Sequence, residues 1–166
     1  MKRVIYPGTF DPITNGHIDI IQRATRIFDN VTVAVAKSTG KNTLFTTEER
    51  LELVEETLRQ LKVPAKVTIF DGLLVDFVRR KKAQVVVRGL RAVSDFEFEF
   101  QMALMNRKLD EEIETLFLMP KDTYSYLSSS IIKQIAKLRG PVTAFVPKHV
   151  EKALRAKYAN VPPTRE

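Results

Sequence analysis

The sequence predicts an α/β fold: a single doubly wound domain on a five-stranded, mostly parallel sheet, with helices closing its C-terminal end. Three observations carry that expectation. Five short apolar runs alternate with stretches whose apolar residues recur at helical spacing. Val31, Val33 and Val35, interleaved with Ala34 and Ala36, form a run too continuous for a half-exposed strand, as a parallel strand covered on both faces requires. Finally, 166 residues with 44% apolar and 28% charged composition suit one domain, at roughly 150 residues per domain.

Taken in order, Val4, Ile5 and Tyr6 form the first strand, stopped by Pro7 and Gly8. After a polar loop, Ile18, Ile21, Ala24, Ile27 and Phe28 recur at helical spacing. The second strand runs from Val31 to Ala36. Thr46 with Glu49 then fits a capping box, and Leu51, Val54, Leu58 and Leu61 make the buried stripe of a helix ended by Pro64. Val67, Thr68, Ile69 and Phe70 form the third strand, residues 74–82 a short helix, and Val85, Val86 and Val87 the fourth strand. Ser94 with Glu97 reads as a second capping box, opening a long amphipathic helix through Phe96, Phe100, Ala103 and Leu104. Leu116, Phe117, Leu118 and Met119 make the fifth strand, closed by Pro120. A helix over residues 128–138 places Gly140 at C′, and Pro147 suits the first turn of a last helix carrying Val150, Ala153, Leu154 and Tyr158. Residues 1–159 read as one domain and 160–166 as a flexible tail.

Composition excludes several chemistries. With no Cys, the chain holds no disulfide framework, thiolate metal site or cysteine nucleophile. No apolar run approaches the roughly 18 residues of a membrane span, and the run after Met1, Lys2 and Arg3 is too short for a signal peptide, so a cytoplasmic protein without membrane contact is expected. Basic residues exceed acidic ones, 27 to 20, a net charge of +7 that attracts either nucleic acid or small phosphorylated substrates. The run Arg79, Arg80, Lys81 and Lys82 admits both a nucleic-acid patch and cations at a helix C-terminus, where the macrodipole favours them; the second reading is preferred.

Doubly wound sheets bind ligands outside the carboxyl ends of their strands. Thr9, Asn15 and His17 follow the first strand, Lys37, Ser38 and Lys41 the second, Arg88 and Arg91 the fourth, and Ser125, Ser128, Ser129 and Ser130 the fifth. That edge is cationic and rich in hydroxyl and amide donors, a surface suited to phosphates. Gly16 and His17 stand where the first helix begins, so N-terminal amides face the same loop. His17 can donate to an oxygen on which charge develops. Guanidinium forks at Arg88 and Arg91 match phosphate oxygens, or pair with Asp95, Glu97 or Glu99. One of the three serines reads as a helix cap, and together with the helix amides they form a second anion site.

Other motifs fail. Ser38, Thr39, Gly40 and Lys41 are no P-loop, because Val35 stands where the pattern needs Gly and Asn42 where it needs Ser or Thr. No G-x-G-x-x-G follows the first strand. With two His and no close carboxylate set, a structural zinc site is not expected; the metal the edge implies is Mg²⁺ arriving with phosphates.

Thr14, Asn15, Gly16 and His17 match the (T/H)xGH signature of the Rossmann-like nucleotidyltransferase superfamily, and the serine-rich helix start matches its second signature. Within it, Tyr6 through Pro12, the block Arg88, Gly89, Leu90, Arg91 and Ala92, then Asp95, Phe96, Glu97 and Glu99, resemble the bacterial phosphopantetheine adenylyltransferases. The resemblance implies transfer of AMP from ATP to 4′-phosphopantetheine with Mg²⁺, giving dephospho-coenzyme A and pyrophosphate in coenzyme A biosynthesis. It implies Thr9, Lys41, Leu74 and Arg88 as acceptor-binding residues. Thr9, Phe10, His17, Gly89, Leu90, Arg91, Glu99, Tyr124, Ser125, Tyr126, Leu127, Ser128, Ser129 and Ser130 fall on its ATP side. The catalytic set it implies is His17, Thr9, Lys41 and Arg91, with no metal-ligating residue. Leu74 and Tyr124 depart from the Met and Trp frequent at those positions. A homohexamer and feedback binding of coenzyme A come from the same resemblance. Two rival readings use the same edge: adenylyl or cytidylyl transfer to another small phosphorylated acceptor, and RNA binding without turnover.

Overall fold

In the computed structural model, which describes residues 2–37, 40, 42–91 and 93–159, the five apolar runs become five strands. These are β1 (Arg3–Gly8), β2 (Asn30–Ala36), β3 (Ala65–Phe70), β4 (Val85–Gly89) and β5 (Glu114–Leu118). They lie in the order β3-β2-β1-β4-β5, and every neighbouring pair is parallel. The chain winds outward from β1 to β3, then crosses back to place β4 on the other side of β1. The strand order therefore switches between β1 and β4, where an open α/β sheet leaves a crevice.

Alternation along the strands divides the core in two. Val4, Tyr6, Val31, Val33, Val35 and Val87 face one side, against Ile18, Ile21 and Ala24 of α1 (Asn15–Ile27), Val54 and Leu58 of α2 (Thr47–Gln60), Ile132 of α5 (Ser129–Lys137) and Val150 and Leu154 of α6 (Lys148–Tyr158). Ile5, Ala34 and Val86 face the other, against Val75, Phe77 and Val78 of α3 (Leu74–Arg80). Burial of the central strands on both faces explains their unbroken apolar runs. No helix among the described residues is long and apolar enough to cross a membrane. The predicted tail, residues 160–166, lies outside the described residues.

Three helices end alike. After α2, α3 and α5, a cation takes the left-handed conformation, Lys62 at φ 52°, Lys82 at φ 52° and Arg139 at φ 60°. In each case its N–H and that of the next residue bond back to the last turn, for instance Arg139 to Ala136 O at 3.0 Å and Gly140 to Ile135 O at 2.9 Å. This is the Schellman arrangement, and it puts a positive charge beside the orphan carbonyls. The run Arg79 to Lys82 is the end of α3 and its cap, with Arg79 also paired to Asp110. Gly140, expected at C′, sits one residue later. A Cβ there would lie 2.7 Å from Ile135 Cγ2, so the glycine is needed for close approach and Arg139 is left to adopt the positive φ.

The helix α4 (Val93–Leu109) departs most from expectation. It already includes Val93 and Ser94, so Ser94 does not precede it as a cap. Its apolar residues are not a buried stripe: Phe96, Phe98, Phe100, Met102, Leu104 and Met105 are 42–62% exposed. The buried positions are instead Glu99 and Asn106, at 9% and 8% exposure. The apolar residues recur all round this helix rather than along one stripe, so the expected amphipathic face is not there, and the side chains that turn inward are Glu99 and Asn106.

The cap of α5 yields a paired expectation. Gly140→Ala forces a methyl against Ile135 and should cost about 1–3 kcal/mol, the usual range for overpacking. Arg139→Gly relieves the left-handed strain and should stabilise by about 0.5–1 kcal/mol. Urea denaturation of both variants checks this; an Ala variant as stable as the parent would refute the close-approach account.

Candidate active site

The loop after β1 is shaped by sterics before any ligand is considered. Phe10 folds back over Gly8, where a Cβ would stand 2.8 Å from the ring, and takes φ 51°. Its ring meets Tyr6 and His17 edge-on, with centroids 5.5 and 5.1 Å apart. A non-glycine residue held in this conformation is a strained position of the kind that recurs at binding sites. Phe10 is 2% exposed, so it floors the site. Burial raises the Tyr6 phenol above its ordinary pKa, keeping its O–H protonated.

His17 is the third residue of α1, and its orientation follows from how that helix begins. Thr14 caps the helix, its Oγ1 accepting from the His17 N–H, while His17 Nδ1 accepts from the Thr14 N–H at 3.1 Å, a reciprocal capping box. An Nδ1 that accepts from an amide carries no proton, so the ring's hydrogen is on Nε2. Burial, reinforced by the Arg91 and Arg88 guanidiniums, lowers the His17 pKa to about 3. The ring is therefore a neutral Nε2–H donor at physiological pH and no proton reservoir.

Arg88 ends β4 and forms a bidentate pair with Glu99, Nε lying 2.7 Å from Oε2, while Nη1 donates to Pro7 O at 2.8 Å. The carboxylate pairing weighed from sequence is real and fixes the guanidinium at the crevice. Arg91 donates to Leu127 O at 2.7 Å, tying the β4 loop to the start of α5. There the serines divide the work. Ser128 caps the helix by accepting from Ile131 N–H, and Ser129 Oγ donates to Pro12 O at 2.8 Å. Ser130 is exposed on the first turn of α5.

These groups line one cleft of about 560 Å³ at the β1/β4 switch point. Among the predicted residues it gathers Thr9, Phe10, His17, Arg88, Gly89, Arg91, Glu99, Leu127, Ser128, Ser129 and Ser130. Leu90, Tyr124, Ser125 and Tyr126 lie next to it in the chain without lining it. Leu74 opens α3, packs on the second core cluster and is not among the residues lining the cleft. Asn15 turns instead to the C-terminal loop, donating to Ala144 O at 3.0 Å. Lys41 and Ser38 lie outside the described residues. Sequence reasoning missed Asp11, Arg50 and Lys133. Asp11, 4% exposed, accepts from Leu44 and Phe45 N–H at 3.0 and 2.9 Å and pairs with Lys133 Nζ. Lys133 lines the cleft one turn into α5, a position legible only from its spacing to the serines.

Residues 5–135 match the family model described as cytidylyltransferase-like. A phosphopantetheine adenylyltransferase of Thermodesulfovibrio yellowstonii is 58% identical over 158 residues, covering 95% of this chain and 98% of that protein. One of Geobacter sulfurreducens is 54% identical, covering 95% and 96%. Among solved structures, the nicotinic acid mononucleotide adenylyltransferase of Plasmodium falciparum complexed with NaAD has the same fold, with a TM-score of 0.72 over the whole of both chains at 13% identity. With a signature loop, an arginine block and a serine helix start meeting in one cleft, and with identity above half along nearly its whole length, the chain belongs to the phosphopantetheine adenylyltransferases of the cytidylyltransferase-like family.

Proposed function

We propose that this chain transfers AMP from ATP to 4′-phosphopantetheine, releasing pyrophosphate and forming dephospho-coenzyme A, a step of coenzyme A assembly. The observation that carries the proposal is the single cleft in which a neutral His17 donor, two guanidiniums and the α5 start converge at the switch point. The acceptor phosphate is already an anion and needs no base. One of its oxygens attacks the α-phosphorus of ATP, the new P–O bond forms, and the bond to the bridging oxygen breaks with its electrons leaving on pyrophosphate. Positioning and charge stabilisation then supply the catalysis. Thr9, Lys41 and Arg88 hold the acceptor, with Leu74 on the acceptor side and Glu99 fixing the fork of Arg88. His17 Nε2–H donates to the α-phosphate as charge develops. Arg91 and the α5 start, including Ser128, Ser129 and Ser130, grip the leaving pyrophosphate. Phe10, Gly89, Leu90, Tyr124, Ser125, Tyr126 and Leu127 complete the nucleotide side.

No group of three or more His, Asp or Glu able to cradle a metal occurs among the described residues, and the cleft carboxylates Asp11 and Glu99 are engaged by Lys133 and Arg88. Mg²⁺ fits the site as an ion carried on the triphosphate, where it neutralises phosphate charge. The reaction's ATP places the enzyme in the cytoplasm. Coenzyme A, which contains both halves of the product, would occupy the same cleft and supply feedback. The exposed apolar face of α4 supports assembly of several copies, as in a homohexamer, with neither nucleic acid nor membrane as partner.

Pyrophosphate release with ATP and Mg²⁺ should be seen with 4′-phosphopantetheine and not with nicotinamide mononucleotide or glycerol 3-phosphate, nor with CTP as donor. Turnover confined to another pair removes the acceptor assignment. His17→Ala should lower kcat about 10²-fold or more, the scale of one lost charge-stabilising donor, with little change in KM. Glu99→Gln frees the Arg88 fork and should raise KM for phosphopantetheine about tenfold, the scale of one weakened charge-assisted contact, leaving KM for ATP in place. His17 also has a pH signature. Between about 3 and 6.5 the unfolded chain binds a proton that the folded ring refuses, so this contribution to stability is full above 6.5 and is lost as pH falls toward 3. Its ¹⁵N resonances should remain those of the neutral Nε2–H tautomer at pH 5.5, and His17→Gln should flatten the acid limb of the stability profile; a ring titrating near its ordinary pKa of about 6.5 contradicts this.

A further inference from the structure

Beneath the cleft lies a cation that the mechanism does not use. Arg50, on the first turn of α2, is 1% exposed and is the largest of the fully buried side chains. It pairs with no carboxylate among the described residues; Asp11 and Glu48 act on it only through longer-range attraction. Its direct partners are neutral: Nη1 donates to Thr9 O at 2.6 Å and to Ala36 O at 2.8 Å, and Nη2 to Thr47 Oγ1 at 3.0 Å. Its Nε is buried with no hydrogen-bond partner among the described residues.

Burying a guanidinium without an ion pair is costly, so the arrangement calls for a return elsewhere in the molecule. The two carbonyls it spans supply the reason. Ala36 is the last residue of β2, and Thr9 follows the last residue of β1, so Nη1 alone clamps the two points where the chain leaves adjacent strands for the cleft, while Nη2, held by Thr47, fixes the plane of the guanidinium. Thr9, Asn42 and Thr43 of the loops so anchored line that cleft. None of Arg50's hydrogen bonds reaches Gly89, Arg91 or the α5 start.

We propose that Arg50 is a positioning residue of the acceptor half-site: its guanidinium sets the separation of the β1 and β2 exit loops, and the part of the nucleotide half-site formed by Gly89, Arg91 and the α5 start is built independently of it. The proposal deepens the adenylyl-transfer reading and rests on it for the identity of the acceptor. A lysine keeps the charge, but its ammonium stands on a flexible stem without the Nη2 arm by which Thr47 fixes the direction of Nη1. In Arg50→Lys, kcat/KM for 4′-phosphopantetheine should fall about 10- to 100-fold, the scale of a misplacement of about 1 Å. ATP affinity, measured by titration without acceptor, should stay within about twofold. Hydrogen exchange should quicken at the amides of residues 8–10 and 42–45 and stay unchanged at 129–132. Thr47→Ala, which removes one anchor of the fork and leaves the buried charge in place, should shift the same quantities in the same direction by about two- to fivefold.

Unchanged exchange at residues 8–10 and 42–45, or full activity of Arg50→Lys, overturns the proposal. So does an equal loss of ATP and acceptor affinity, the signature of general destabilisation. Wild-type protein that binds ATP but does not turn over phosphopantetheine removes the functional reading instead; the exchange comparison, which needs no substrate, still decides whether Arg50 sets the two loops.

Discussion

The reciprocal bonds between Thr14 and His17 are the smallest interaction on which the rest of the site depends. A capping box satisfies amides at a helix start and contributes on the order of 1 kcal/mol wherever it occurs. Here the residue at its third position is an imidazole where Glu or Gln is usual, and closing the helix also decides which ring nitrogen carries the proton. Because α1 begins beside the switch point, the local requirement of a helix and the chemical requirement of a phosphoryl acceptor are met by the same pair. Burial and the two nearby guanidiniums then keep the ring neutral, so it offers an N–H donor without adding to the positive charge of the cleft.

The cleft is cationic by composition and yet nearly balanced in its pairs. Arg88 is held by Glu99, Lys133 by Asp11, and Arg91 is tied to the Leu127 carbonyl at the entrance to α5. A site assembled this way does not rely on a large uncompensated field. Each cation is fixed in direction before a ligand arrives, and the ordering of long side chains is completed on folding, so it is not charged to binding. Such pairing also discriminates: a polyanion drawn by charge alone gains little from guanidiniums already aimed along particular vectors, whereas a ligand with phosphates at matching separations gains from each.

Much of this was legible in the sequence because it is local. The parallel five-stranded sheet follows from the alternation of elements, the α2 capping box from Thr46 and Glu49, and the crevice residues from their positions after strands. Arg50 carried no such signal, and Asp11 and Lys133 only a place in the first-loop motif and a spacing from the serines, which name no partner. Asp11 meets Phe45 and Lys133 across 34 and 122 residues, and those contacts exist only once the sheet has brought three connections together. Gly140 and α4 fail for a different reason, since both are decided by what the element packs against. A glycine near a helix end predicts a left-handed residue, but the demand of Ile135 for space moved it one position on. An apolar period predicts a helix, but the inward face of α4 was claimed by Glu99.

That claim joins two parts of the molecule that the sequence presents as separate. The carboxylate of Glu99 must lie inward to hold Arg88 against the crevice, and Asn106 occupies the same inward face two turns on. With those positions taken by polar groups, the large side chains of α4 have no place in the protomer core and stand outward between Phe96 and Met105. An apolar face of that extent on an isolated domain is a liability unless another surface covers it. In the proposed assembly, covering it would also hold α4 against β5, and with it the only bidentate partner of Arg88 among the described residues. Orientation of the acceptor-side arginine and association of protomers would then draw on the inward and outward sides of one helix, so a change that loosens the outward side should be felt at Arg88 before it is felt at His17, which is held by the Thr14 cap of α1 and the Phe10 ring.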